Sequence, residues 1–78
     1  MDDRYFLMDL ERTILAGVPC FWKITKYGYT YQIEFAGLFP KEIAEEIVRN
    51  DMDHRTVMIS FEVIQNILGK DLKMHESF

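Results

Sequence analysis

The residues in this chain that could do chemistry fall into a few groups, and most of them fail on spacing. Cys20 is the only cysteine, and His54 and His75 are the only imidazoles available to act as its base. Cys20 follows Pro19 at the start of an apolar run, and no local spacing brings either histidine to it. It reads as a small buried hydrophobe, not as a nucleophile. Asp51, Asp53 and His54 are close enough in sequence to suggest ligands for a hard cation. A calcium loop counted from Asp51 needs an oxygen ligand and then a glycine where Arg55 and Thr56 stand. Glu62 matches the distal glutamate of such a loop but falls inside an expected helix, so the stretch reads as a solvated turn. His75-Glu76 lacks the second histidine of a zinc-protease helix, and Gly28 and Gly37 are too isolated to form a phosphate loop. Glu42, Glu45 and Glu46 read as a solvated helix face. No catalytic residue, metal ligand or cofactor site is expected, and the chain does not read as an enzyme.

The concentrated feature is the stretch from Cys20 to Gly37, CFWKITKYGYTYQIEFAG. Its aromatic side chains could stack a flat ligand or grip a protein, and its lysines could meet a phosphate. The residues singled out for binding a partner or ligand are Trp22, Lys23, Lys26, Tyr27, Gly28, Tyr29 and Thr30. The same aromatics would also serve as the core of a small sheet. Trp22 and Tyr31 read first as core, whereas Tyr27 and Tyr29, at a turn, stand open between core and contact surface.

The elements that must position this stretch follow from periodicity. Leu7, Leu10 and Ile14, widened by Phe6 and Leu15, recur at helical spacing and predict a helix over about 3–16, capped by Asp2 or Asp3 and stopped by Gly17. Strands are expected over about 20–26 and 29–36, joined at Gly28, whose freedom at positive φ suits a tight hairpin turn. Alternation along the second strand predicts a core built on Tyr31, Ile33 and Phe35, joined by Trp22 and Ile24. Pro40 suits the first position of a helix running to about 50 that buries Ile43, Ala44, Ile47 and Val48. A strand over 55–59 and a helix over 61–68, capped by Ser60, complete the order α-β-β-α-β-α. The expected architecture is α+β, with three helices and a small, mostly antiparallel sheet of three strands.

With 78 residues, the chain reads as a single domain over 1–78, with 71–78 as a frayed tail. A net charge of −4 argues against general nucleic-acid binding, which needs clustered cations. No apolar run approaches the roughly 20 residues of a membrane helix. The acidic opening is unlike a signal peptide, and the single cysteine allows no internal disulfide, so a cytoplasmic setting is expected. So small a domain often gains stability by oligomerising, and the edges of a small sheet offer one route to a homo-oligomer.

The words Trp22-Lys23, Gly28-Tyr29-Thr30 and Ala36-Gly37, followed by Phe39, Glu42, Ala44 and Ile47, resemble a pattern in small uncharacterised proteins of phages, prophages and plasmids. The match covers about a third of the chain. Pro40 stands where that family often has a Ser or Thr cap, and Lys26-Tyr27 replaces a polar turn rich in Asn. The resemblance implies a mobile-element accessory protein in a bacterial cytoplasm and carries over no catalytic residue. The expected function is a non-enzymatic binding protein that blocks or sequesters a host component, either a host protein or a nucleotide. A structural or regulatory subunit without a ligand of its own is the alternative, and a small enzyme the least favoured one.

Overall fold

The structure, a computed structural model, describes residues 4–25 and 27–68. Its element order is β1 (Arg4–Asp9), α1 (Leu10–Ala16), β2 (Phe21–Trp22), β3 (Tyr29–Thr30), a 3-10 turn (Ile33–Phe35), β4 (Phe39–Pro40), α2 (Lys41–Arg49), β5 (Thr56–Ser60) and α3 (Phe61–Leu68). The fold is α+β with three α-helices, as expected, but the antiparallel sheet has five strands instead of three.

The largest correction concerns the expected first helix. Residues 4–9 form a strand, and the helix is confined to Leu10–Ala16. Asp2 and Asp3, the expected caps, lie outside the described residues. Asp9 caps the helix instead: its backbone is extended (φ −92°, ψ 115°) and its Oδ1 accepts the Arg12 N–H at 2.9 Å. Gly17 ends the helix as expected, in the left-handed region at φ 76°, with its N–H donated to the Thr13 carbonyl.

The run Tyr5-Phe6-Leu7-Met8 is apolar throughout because β1 is buried on both faces. Phe6 and Met8 face a cluster containing Phe21, Leu38 and Ile64, with Phe61 and Ile59 against it. Tyr5 and Leu7 face a second cluster containing Phe39 and Ala44, with Ile43, Ile47 and Val48 of α2 against it. The two helices thus cover opposite faces of the sheet. Burying Phe6 and Leu7 stabilises the fold by about 1.5–3 kcal/mol each.

Strand β1 also uses both of its edges. The Leu10 N–H bonds Arg55 on the β5 side, and the Asp9 N–H bonds Cys20 on the β2 side. Strand β5 pairs along Tyr5–Asp9. Strands β2 and β4 share the opposite edge, β2 at Met8 and β4 at Arg4 and Tyr5.

The expected second strand over 29–36 is also corrected. It stops after Thr30, whose Oγ1 accepts the Gln32 N–H at 3.1 Å and draws the chain into a turn. The 3-10 turn then leaves Tyr31 and Phe35 exposed and Ile33 half-buried, so the core does not rest on this strand. Ile14 and Leu15 of the expected first-helix stripe are exposed as well. Of the apolar residues that helical spacing would bury on the last helix, Ile64 is buried while Val63, Ile67 and Leu68 are exposed. Helix α3 spans 61–68 as expected, and Ser60 caps it by accepting the Val63 N–H at 3.1 Å. The tail over 71–78 lies outside the described residues. Among the described residues, no helix is long and apolar enough to cross a membrane.

Gly37 and Gly28 play different parts. A Cβ on Gly37 would lie 2.6 Å from the Ile24 Cα and 2.7 Å from the Ile24 N, both backbone atoms with little room to move. A Cβ on Gly28 would meet the Lys23 side chain, Cδ at 3.5 Å and Cε at 4.0 Å, which is ordinary contact. Gly37→Ala is expected to lower stability by about 1–3 kcal/mol. Gly28→Ala should stay within about 0.5 kcal/mol of the parent. Urea unfolding midpoints of the two variants check this contrast.

Candidate functional site

The aromatic hairpin forms, but not around the expected turn. Trp22 pairs with Tyr29 and Phe21 with Thr30, and the Lys23 N–H reaches the Gly28 carbonyl at 2.9 Å. Gly28 does not adopt positive φ; Gly17 is the described glycine that does. The connection is wider than a two-residue turn, and Thr25 supports it by accepting the Tyr27 N–H on Oγ1 at 3.3 Å. Lys26 lies outside the described residues.

Trp22 and Tyr29 meet edge to face across the strand pair, with ring centroids 5.9 Å apart. The Arg12 guanidinium sits 3.9 Å from the Tyr29 ring centroid, within cation–π distance. Arg12 Nη1 also lies 3.3 Å from Asp9 Oδ2. Asp9, 2% exposed, therefore caps α1 through one oxygen and engages the arginine that covers Tyr29 through the other. Sequence reasoning did not single out Asp9 or Arg12. The signal was local: a cap-forming residue three positions before an arginine.

Tyr29 lies between two clefts. One, of about 300 Å³, is lined by Trp22, Tyr29, Asp9, Glu46, Asp51 and Arg55. The Trp22 Nε1 is buried without an acceptor among the described residues. The cleft's charged groups are largely committed: Arg55 bonds Glu11 and lies 3.7 Å from Asp53, and Asp51 serves its own loop. The other cleft, of about 610 Å³, is lined by Lys23, Thr25, Tyr29, Thr30, Tyr31 and Phe35. It is the more apolar of the two and the better suited to a ring or an apolar side chain. Of the sequence-predicted residues, Trp22 lines the first cleft, Lys23 and Thr30 line the second, and Tyr29 lines both. Tyr27 projects beyond them, 96% exposed, and Gly28 lies half-buried behind it. Tyr31 and Phe35, read as core from the alternation, belong to this exposed surface at 58% and 64%.

The other reactive candidates lie elsewhere. Cys20 is buried; burial chiefly, and the Asp9 charge in addition, push its thiol pKa up, while Arg12 opposes. The thiolate is disfavoured there. His75 lies outside the described residues. His54 sits at φ 55° in the turn after α2, and its N–H bonds the Asp51 carbonyl at 3.1 Å.

No family model, curated protein or solved structure matches the chain.

Asp51 organises the loop beside the first cleft. Its carboxylate accepts backbone N–H groups from Asp53 at 3.1 Å, Arg55 at 2.9 Å and Thr56 at 2.8 Å. The Thr56 side-chain hydrogen bond, then these backbone bonds, hold its pKa below the usual carboxylate value, with desolvation opposing. A lowered folded-state pKa means the contribution to stability is fully present above the unfolded value, about 3.9. That contribution is lost as pH falls from there through the folded-state value. Asp51→Asn is expected to remove this part of the acid sensitivity, while the parent loses loop order in that window. Amide shifts of Arg55 and Thr56 followed by NMR through an acid titration check it.

Proposed function

We propose that this chain is a non-enzymatic binding protein that captures a partner on its aromatic hairpin and thereby blocks or sequesters it. The observation that carries this reading is the cluster of exposed aromatic side chains, Tyr27, Tyr31 and Phe35, at and beside an open, largely apolar cleft. Large aromatics left in water are costly for the monomer and are the residue types that anchor protein interfaces. The Arg12–Tyr29–Trp22 stack holds the base of the hairpin in place, which lowers the ordering cost of binding.

A protein partner is favoured over a nucleotide. Lys23 is the one ammonium lining the larger cleft among the described residues, and a phosphate chain calls for more donors than one lysine supplies. The likeness of the Trp-Lys, Gly-Tyr-Thr and Ala-Gly words to those of mobile-element proteins supports a bacterial host protein as the target, met in the cytoplasm.

The test is co-purification of the tagged full chain from its bacterial host, with Tyr27→Ala, Tyr31→Ala and Phe35→Ala made singly and together. Each exposed aromatic should leave folding stability within about 0.5 kcal/mol. An anchor among them should cost about 2 kcal/mol of binding, close to a thirtyfold loss of affinity. A stoichiometric host protein retained undiminished by the triple variant would remove the hairpin from the interface. A bound nucleotide instead of a protein would replace the partner class.

A further inference from the structure

The sheet has one long edge that no described strand covers. Strand β5 pairs with β1 along Tyr5–Asp9, and no strand among the described residues pairs with its other side. The hydrogen-bond pattern shows which groups point there. In an antiparallel ladder, directly opposed residues alternate between exchanging both backbone bonds and exchanging none. Leu10 donates toward β5, to the Arg55 carbonyl at 2.7 Å, while Asp9 donates the other way, to the Cys20 carbonyl at 2.9 Å. Stepping along the register from there, Met8–Val57 and Phe6–Ile59 are the pairs that exchange bonds, whereas Asp9–Thr56, Leu7–Met58 and Tyr5–Ser60 do not. Thr56, Met58 and Ser60 therefore turn their N–H and C=O groups to the open edge.

Some of those groups are already satisfied within the chain. The Thr56 N–H donates to Asp51 Oδ2 at 2.8 Å. Ser60 caps α3, which commits its carbonyl to the first turn of the helix. What remains is the N–H and C=O of Met58, the C=O of Thr56 and the N–H of Ser60.

We propose that these groups pair with their own counterparts in a second copy of this chain, forming a two-fold symmetric dimer through antiparallel β5–β5 contact centred on Met58. On that axis each Met58 N–H meets the Met58 C=O of the other protomer, and each Ser60 N–H meets the other's Thr56 C=O. The same register would oppose the Thr56 N–H to the Ser60 C=O, and these are the two groups already used within each chain. The remaining set is self-complementary, which an arbitrary partner strand would not reproduce. The side chains agree. Val57 falls opposite Ile59 of the second copy, an apolar β-branched pair. Thr56 falls opposite Ser60, and no charge lies within Thr56–Ser60 to repel its like across the axis. The remaining outer strands, β3 and β4, are two residues each and offer far less. The interface lies across β1 from the hairpin, so it does not depend on the partner read there, and it leaves a hairpin free on each protomer.

Native mass spectrometry and sedimentation of the full chain, with amide hydrogen exchange read residue by residue, test the proposal. The expected species has twice the 9.3 kDa chain mass. The Met58 amide should exchange as slowly as Val57 and Ile59, although it has no acceptor within the described chain. Met58→Pro removes the outward N–H at an edge position where proline leaves the β1 ladder intact, and Val57→Lys places a charge against Ile59 of the other copy. Both should give monomers with the parent's far-ultraviolet circular dichroism. A parent that remains monomeric at the highest attainable concentration overturns the proposal. So does a dimer whose Met58 amide exchanges at the rate of an open loop, because that dimer uses another face. The exchange result on the parent decides the matter even if a variant fails to fold.

Discussion

Strand β1 is bonded along both edges and packed on both faces, and the rest of the chain is arranged to satisfy it. A strand so placed can leave no backbone polar group unmatched, because each unmet buried donor or acceptor would cost about 1–3 kcal/mol. Strand β5 meets one edge along Tyr5–Asp9, and two short strands divide the other. Helix α2 then covers the face carrying Leu7, and α3 the face carrying Phe6. Few residues remain for a second sheet or a deep cavity. Among the described residues, the two clefts that meet at Tyr29 are open to solvent.

Asp9 links this core to the candidate surface. It closes β1, caps α1 and orients Arg12, whose guanidinium covers Tyr29. A buried carboxylate is stable only where hydrogen bonds and a counter-charge replace water, and here the backbone N–H and the guanidinium of Arg12 provide both. Helix α1 buries none of its residues. It is held by this junction, by the Arg55–Glu11 ion pair and by the Cys20 N–H donated to Thr13 Oγ1. Its position therefore rests on polar geometry more than on burial. The hairpin inherits that geometry through Tyr29.

The surface properties follow from the same economy of size. A domain this small encloses a limited fraction of its apolar surface, and here the remainder is grouped. Tyr27, Tyr31 and Phe35 gather at and beside the hairpin cleft, and the apolar residues of β5 border an open edge. These two regions lie on opposite sides of β1. The self-association proposed for one and the partner capture proposed for the other would therefore not compete for the same surface.

The local features were legible in the sequence. Helical spacing in Ile43, Ala44, Ile47 and Val48 placed α2 within a residue of its bounds, and Ser60 marked the start of α3 at 61–68. Gly17 marked the end of α1, and the alternation on either side of Gly28 marked the presence of a hairpin there, though not its register or its turn. These are properties of neighbouring residues: cap chemistry, turn chemistry and a single buried face. The tertiary structure alone decided that Tyr5-Phe6-Leu7-Met8 is a strand. A strand buried on both faces loses the alternation that would identify it, and its apolar run fits a helical stripe equally well. It also decided that Tyr31 and Phe35 face water, since the alternation that marked them as core ends where the Thr30 hydroxyl bonds the Gln32 N–H. Gly37 is required because the Ile24 backbone passes 2.6 Å from where its Cβ would be, an approach between segments that no local pattern records.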